Sequence, residues 1–255
     1  MSDTIRMPVD VTNPGQFFAC CGLLELAARK WPDAVGHFCS DTFLMGNVGP
    51  LSELLLAIAE DPPVACDPED PMTSPLILEC FRLRLDWWWD ELAGGKAFKT
   101  WAGQEQIVAK AHAMHATFVG ATYGEATLLS SSAILFAAGD SKKAIAPLYF
   151  DACRVGQAQS IDVGFSTDTH GLRVPTCAAL EYLCLVGLQR FRPVSREDRA
   201  FTYTAWLTPL PPALAAAAAT GGTGFNRGDS YSFRLLYRTK YLKGFLAATR
   251  IGDTT

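Results

Sequence analysis

Ile5–Lys30, IRMPVDVTNPGQFFACCGLLELAARK, sets two kinds of element side by side. Ile5–Val11 reads as an extended strand. Thr12-Asn13-Pro14 then starts a helix: the Asn13 side chain can accept from an unpaired backbone N–H, and Pro14 suits the first helical position because its missing donor is not needed there. Phe17, Cys20, Cys21, Leu24 and Ala28 follow at helical spacing. Trp31-Pro32-Asp33 stops the helix.

Outward from this unit, strands and helices keep mixing. Runs at Gly36–Cys39 and Thr42–Met45 suggest a hairpin, and Leu51–Glu60 a helix. Asp61–Pro75 holds five prolines and several acids and reads as a loop. Leu76–Trp89 reads as a long strand or a bent strand pair. Gln104–Phe118 reads as a helix, while Thr127–Ala138 fits either type. Ile145–Cys153 and Ser160–Phe165 favour strands, and Pro175–Gln189 an apolar helix. Phe201–Leu207 and Tyr231–Tyr237 are strands flanking an alanine helix at Pro211–Ala219. Without regular βαβ alternation, the order predicts an α+β fold: mainly antiparallel sheet with packed helices, in a single compact unit. One globular domain over 1–255 is expected, with a subdivision near 95–125 between an acidic N-terminal part and a more basic C-terminal part.

With 49% hydrophobic and 19% charged residues, the 255-residue chain has a folded composition. No run approaches ~20 apolar residues, so no membrane span is expected. MSDTIRMPVD lacks an apolar leader core, which gives a cytoplasmic expectation. The eight cysteines form no CxxC pair and read as buried filler rather than metal ligands. Net charge is −4, yet residues 1–95 carry 5 basic and 15 acidic side chains, whereas 181–250 carry 10 and 4. That asymmetry suits a polyanion on one side and a protein partner on the other, unless folding interleaves the two regions.

Leu83–Gln104, LRLDWWWDELAGGKAFKTWAGQ, combines tryptophans with lysines. Strand alternation would admit Trp87 and Trp89 to one core and turn Trp88 the other way. Trp88 would then cover a neighbouring element or meet a partner surface or base. Gly221–Gly228 is a glycine loop in which Arg227 could pair with phosphate, though it lacks the Gly-Lys-Ser/Thr ending of a triphosphate loop. As a strand, the stretch from Phe233 would put Phe233, Leu235 and Tyr237 on one face and Arg234, Leu236 and Arg238 on the other, so the cations could track a phosphodiester backbone or simply be solvated. Gln189-Arg190-Phe191-Arg192-Pro193 repeats this chemistry at a helix end, where cations also complement the dipole. His112 and His115 at i, i+3 could form an acid/base or metal pair, but nothing nearby in sequence completes a ligand set. Asp162–Asp168 reads more simply as a strand entering a turn than as a carboxylate pair.

Several segments in order resemble a known family: Val11–Glu25 (VTNPGQFFACCGLLE), Leu85-Asp86-Trp87-Trp88, Lys99–Gln104 (KTWAGQ), Ile161–Ser166 (IDVGFS) and Gly187–Pro193 (GLQRFRP). Together they resemble the small CRISPR-associated proteins of type I-U (I-G) systems, classed as the large-subunit equivalent of a Cascade-type effector complex. The resemblance spans nearly the whole chain. It implies a non-enzymatic, cofactor-free subunit in antiviral defence. Its partners would be other effector subunits, guide RNA, target double-stranded DNA and a recruited helicase–nuclease. In such complexes guide pairing reads the sequence, while protein reads a short adjacent motif and supports the displaced strand.

On this reading Lys96 and Lys99 touch phosphates, with Trp101 and Gln104 placed for stacking or base-edge contact. Arg227, Arg234, Arg238, Lys240 and Lys243 form a second backbone-tracking surface. Two alternatives stand beside it. One is a structural or guide-RNA-binding subunit whose glycine loop clamps RNA, and the other a guide-processing ribonuclease using His112 or His115 as base.

Overall fold

The computed structural model describes residues 3–69, 74–88, 107–137, 140–154, 175–222, 228–238 and 241–252. The fold is α+β, with mostly antiparallel strands against packed helices. Strand β1 (Asp3–Pro8) leads to helix α1 (Pro14–Lys30), with Asn13 as its cap: the Asn13 side chain accepts from the Gly15 N–H. Helix α1 is buried on nearly every side from Pro14 to Ala27, as befits a helix apolar all round. Strands β2 (Val35–Cys39) and β3 (Thr42–Val48) form the expected hairpin, and β1 adds to β3, giving an antiparallel order β1-β3-β2. Helix α2 (Leu51–Ala59) follows.

Among its described residues, the proline-rich loop contributes the short strand β4 (Val64–Ala65). It pairs with β5 (Leu76–Leu78), which pairs with β6 (Leu83–Leu85). Thus Leu76–Leu85 is a hairpin, the strand pair of the two alternatives rather than one long strand. Its tip is fixed by an Arg82 N–H donating to Glu79 O, with Arg82 at φ 51°, and by Phe81 N–H donating to the buried Asp61 carboxylate. Next come α3 (Ile107–Val119) and the pair β7 (Phe136–Ala137) and β8 (Asp140–Ala144).

Strand periodicity at Ile145–Cys153 fails in the structure, where that segment forms no strand. The donors of its last four residues are taken by side chains instead of a ladder. The Phe150 and Asp151 N–H groups donate to Glu181, Ala152 N–H donates to Asn13, and Cys153 N–H donates to the Asp151 carboxylate. Ser160–Phe165 lies outside the described residues.

Helix α4 (Ala178–Gly187) crosses α1 at backbone contact. A Cβ added at Gly22 would lie 2.0 Å from Leu183 O, and one at Gly187 would lie 2.0 Å from Phe18 O. Only glycine fits at either crossing point. The chain continues through β9 (Val194–Ser195), a 3-10 turn (Glu197–Arg199), β10 (Ala200–Ala205), α5 (Pro212–Ala219), β11 (Asp229–Arg238), β12 (Tyr241–Phe245) and β13 (Thr249–Arg250). The second large sheet runs β12-β11-β10-β9, with β13 also on β11. The two large sheets meet through backbone: Phe38 N–H donates to Trp206 O, and Gly36 and Leu210 exchange both hydrogen bonds.

Aromatic rings fill the space beneath α1. Phe17 stacks on Phe38 and Tyr203, and Phe18 meets Phe233 edge-on. Cys20, Cys21, Cys177 and Cys184 are buried, as filler should be, but Cys39, Cys66, Cys80 and Cys153 are exposed. No helix among the described residues is long and apolar enough to cross a membrane.

Candidate nucleic-acid interface

Trp88 does not turn toward water. It is 3% exposed beside a 1% exposed Trp87. Strand β6 ends at Leu85, so alternation stops there. Gln189 then clamps the backbone of Asp86, accepting from its N–H and donating to its carbonyl, both at 2.9 Å. Both rings enter the core: Trp88 meets Phe201 and Phe245 edge-on, and Trp87 stacks on Phe150. The burial of both rings removes Trp88 as a stacking platform.

Lys96, Lys99, Trp101 and Gln104 lie outside the described residues, as do Trp89, Arg227 and Lys240. Arg238 is on β11 and Lys243 on β12, with side chains outside the described set. Arg234 is exposed on β11 between buried Phe233 and Leu235, the alternation expected from sequence. Of the nine positions, Arg234 is therefore the one whose side chain can be placed. In the glycine loop, Gly221 takes φ 81°, and Gly228 approaches β10 so closely that a Cβ would sit 1.8 Å from Ala205 O. Gly221 and Gly228 thus serve turn and packing geometry.

His115 is buried, with Nε2 2.9 Å from Ile58 O and its ring against Tyr182. Burial lowers the pKa of both His112 and His115, which favours neutral rings at pH 7. Among the described residues no three His, Cys, Asp or Glu side chains gather where a metal could bind.

A concentration of positive charge occurs elsewhere. The C-terminal end of α1, the β5–β6 hairpin and the segment after α4 border a cleft of ≈550 Å³, whose described charged lining residues are Arg29, Arg82, Arg84, Arg190 and Arg192 with Glu25 and Asp86. Among the described lining residues five cations face two carboxylates, a surplus of three positive charges.

Local structure explains the display. Phe191 is fully buried and stacks on Trp206, so its neighbours Arg190 and Arg192 are directed outward. On β6 the pattern is the same, with exposed Arg84 between buried Leu83 and Leu85. The hairpin tip presents Arg82.

Glu25 organises the base of the cleft. Its carboxylate accepts from Arg29 Nε and Nη2 and from Arg190 Nε and Nη2. Burial opposes charge on Glu25, but hydrogen bonds from Arg190 and Arg29, reinforced by their charges, outweigh it and hold the carboxyl below its ordinary pKa. Arg29 also donates to Phe81 O and Arg82 O, tying the hairpin tip to α1. At the rim, Arg84 pairs with Asp86 at 2.7 Å.

Arg29, Arg82 and Arg84 were not singled out by sequence reading, because they lie in the most acidic third of the chain. Their one local sign was the apolar–Arg–apolar alternation at Leu83-Arg84-Leu85. No family model, no curated protein and no solved structure matches the chain.

Proposed function

We propose that this chain is a non-catalytic, nucleic-acid-contacting subunit of a type I-U (I-G) CRISPR guide-RNA complex, acting in antiviral defence. The observation that carries the reading is the arginine cleft, because a concave site with a surplus of guanidinium groups is chemically suited to a polyanion. The ordered motif resemblance supplies the family, and the cleft supplies a physical means of gripping a strand. Guide pairing would read the target sequence while this subunit supports nucleic acid through its backbone and meets other effector subunits. A recruited helicase–nuclease would perform cleavage.

The test is co-expression of a tagged chain with the other effector subunits and a repeat array. The purified chain should retain guide RNA and partner subunits, and the assembly should bind a duplex matching the guide more tightly than an unmatched one. A chain that emerges free of RNA and of other subunits would sink the proposal. Incubation of the isolated chain with precursor RNA should leave the RNA intact. Cleavage lost in His115→Ala would replace this reading with a ribonuclease.

A further inference from the structure

We infer that the arginine cleft grips the sugar–phosphate backbone without reading bases, an assignment that rests on the nucleic-acid reading above. The support is which groups in the cleft still have hydrogen-bonding capacity. Arg190 commits Nε and Nη2 to Glu25, which leaves Nη1. Arg84 commits Nε to Asp86, with its side chain 60% exposed. The Arg82 guanidinium is exposed and has no partner among the described residues. Apart from Asp86, which pairs with Arg84 through one oxygen, the non-cationic groups among the described lining residues are spent. Both amide atoms of Gln189 are engaged by Asp86 and Leu185 backbone, both Glu25 oxygens are held by arginines, and Leu83 is buried.

No described residue lining the cleft is aromatic, so no ring is offered for stacking. Base-edge readout of adenine or cytosine needs an amide or carboxylate with free capacity; Gln189 and Glu25 have none, and Asp86, at the rim, holds Arg84 through one oxygen. A guanidinium can read guanine, but only when its fork is held against the groove. Arg82 and Arg84 stand exposed at a hairpin tip and on a short strand, and Arg190, whose fork is held, spends that fork on Glu25. Phosphate oxygens, present at every nucleotide, are the target they meet whatever the sequence. Arg82, Arg84 and Arg190 are the backbone contacts. Glu25 is a positioning residue that fixes the Arg190 fork.

The experiment is fluorescence anisotropy of the full chain with end-labelled oligo(dT), oligo(dA), guanine-rich and mixed-sequence single strands, and a mixed-sequence duplex, over a salt series. Affinities among the single strands should agree within about threefold. Arg82→Ala and Arg84→Ala should each reduce the salt slope on the duplex by about one, whereas Arg6→Ala, on the exposed face of β1, should leave it unchanged. A guanine-rich preference of about tenfold or more that either cleft variant removes would overturn the inference and leave the nucleic-acid reading standing. Slopes unchanged in both cleft variants would move binding to another surface, with the same consequence. Absence of binding to every probe at low salt would overturn the inference together with the reading beneath it.

Discussion

Glu25 and Glu181 are both buried carboxylates, one on each of the two helices that cross at glycine, and their surroundings drive them in opposite directions. Glu25 has two arginines. Glu181 accepts the Phe150 and Asp151 N–H groups on Oε1, while its Oε2 has no partner among the described residues. Burial pushes the Glu181 pKa up to about 8, with the backbone hydrogen bonds and Lys110 opposing and Asp151 assisting. Folded Glu181 therefore keeps its proton up to about pH 8, whereas an unfolded chain releases it near 4.5. In that window the folded state binds more protons, so stability falls as pH rises, by at most about 1.4 kcal/mol per pH unit from this group. Because the lowered pKa values of His112 and His115 act in the opposite sense, the stability of wild type relative to Glu181→Gln, read from urea unfolding, should fall between about pH 5.5 and about pH 7.5. An equal pH dependence in the variant would refute the assignment.

For Glu25 the sign reverses. Its pKa is lowered, so its contribution is present above the ordinary value of 4.5 and is lost as pH falls through the folded one. Glu25→Gln should cost about 1–3 kcal/mol at neutral pH, below the range for a fully buried pair because Arg190 is 41% exposed. Urea midpoints measure it.

At the scale of elements, the α1–α4 crossing and the α1 cap carry the architecture. Gly22→Ala forces a methyl into the Leu183 carbonyl, which the rigid α4 backbone cannot yield without moving the helix. A loss of about 3 kcal/mol or more is expected, lowering the Tm by roughly 6–12 °C for a chain of this size. A calorimetric shift under about 2 °C would mean the helices are not in contact there. Asn13→Ala should cost about 2–4 kcal/mol, because it removes a helix cap and also a partner of the buried Asp151 carboxylate. That the cap also fixes residues 151–152 explains why Ile145–Cys153 looks like a strand in sequence and is none. Apolar alternation records which side chains want burial. It cannot record that Glu181 and Asn13, far along the chain, will take the backbone donors.

At the scale of the whole molecule, the linear charge asymmetry is mixed at the cleft. Folding places Arg29, Arg82 and Arg84 from the acidic third beside Arg190 and Arg192 from the basic one. Binding through the cleft should weaken with salt at a slope of about −2 to −3, set by three phosphate contacts on single or double strands. A slope near zero in an anisotropy titration would show that counterion release does not drive binding.

The sequence by itself determined what depends on a few neighbouring residues: the helix start at Asn13-Pro14, the hairpin of β2 and β3, and the outward turn of Arg234 between Phe233 and Leu235. Capping, fixed φ and side-chain alternation act over one or two turns of chain and are written locally. Only the tertiary structure decided that both Trp87 and Trp88 are buried and that the cationic cleft exists. Both follow from contacts such as Gln189 to Asp86, 103 residues apart, and Arg190 to Glu25, 165 apart. Those contacts form because two glycines allow α1 and α4 to touch, and no local pattern specifies what a helix crossing brings together.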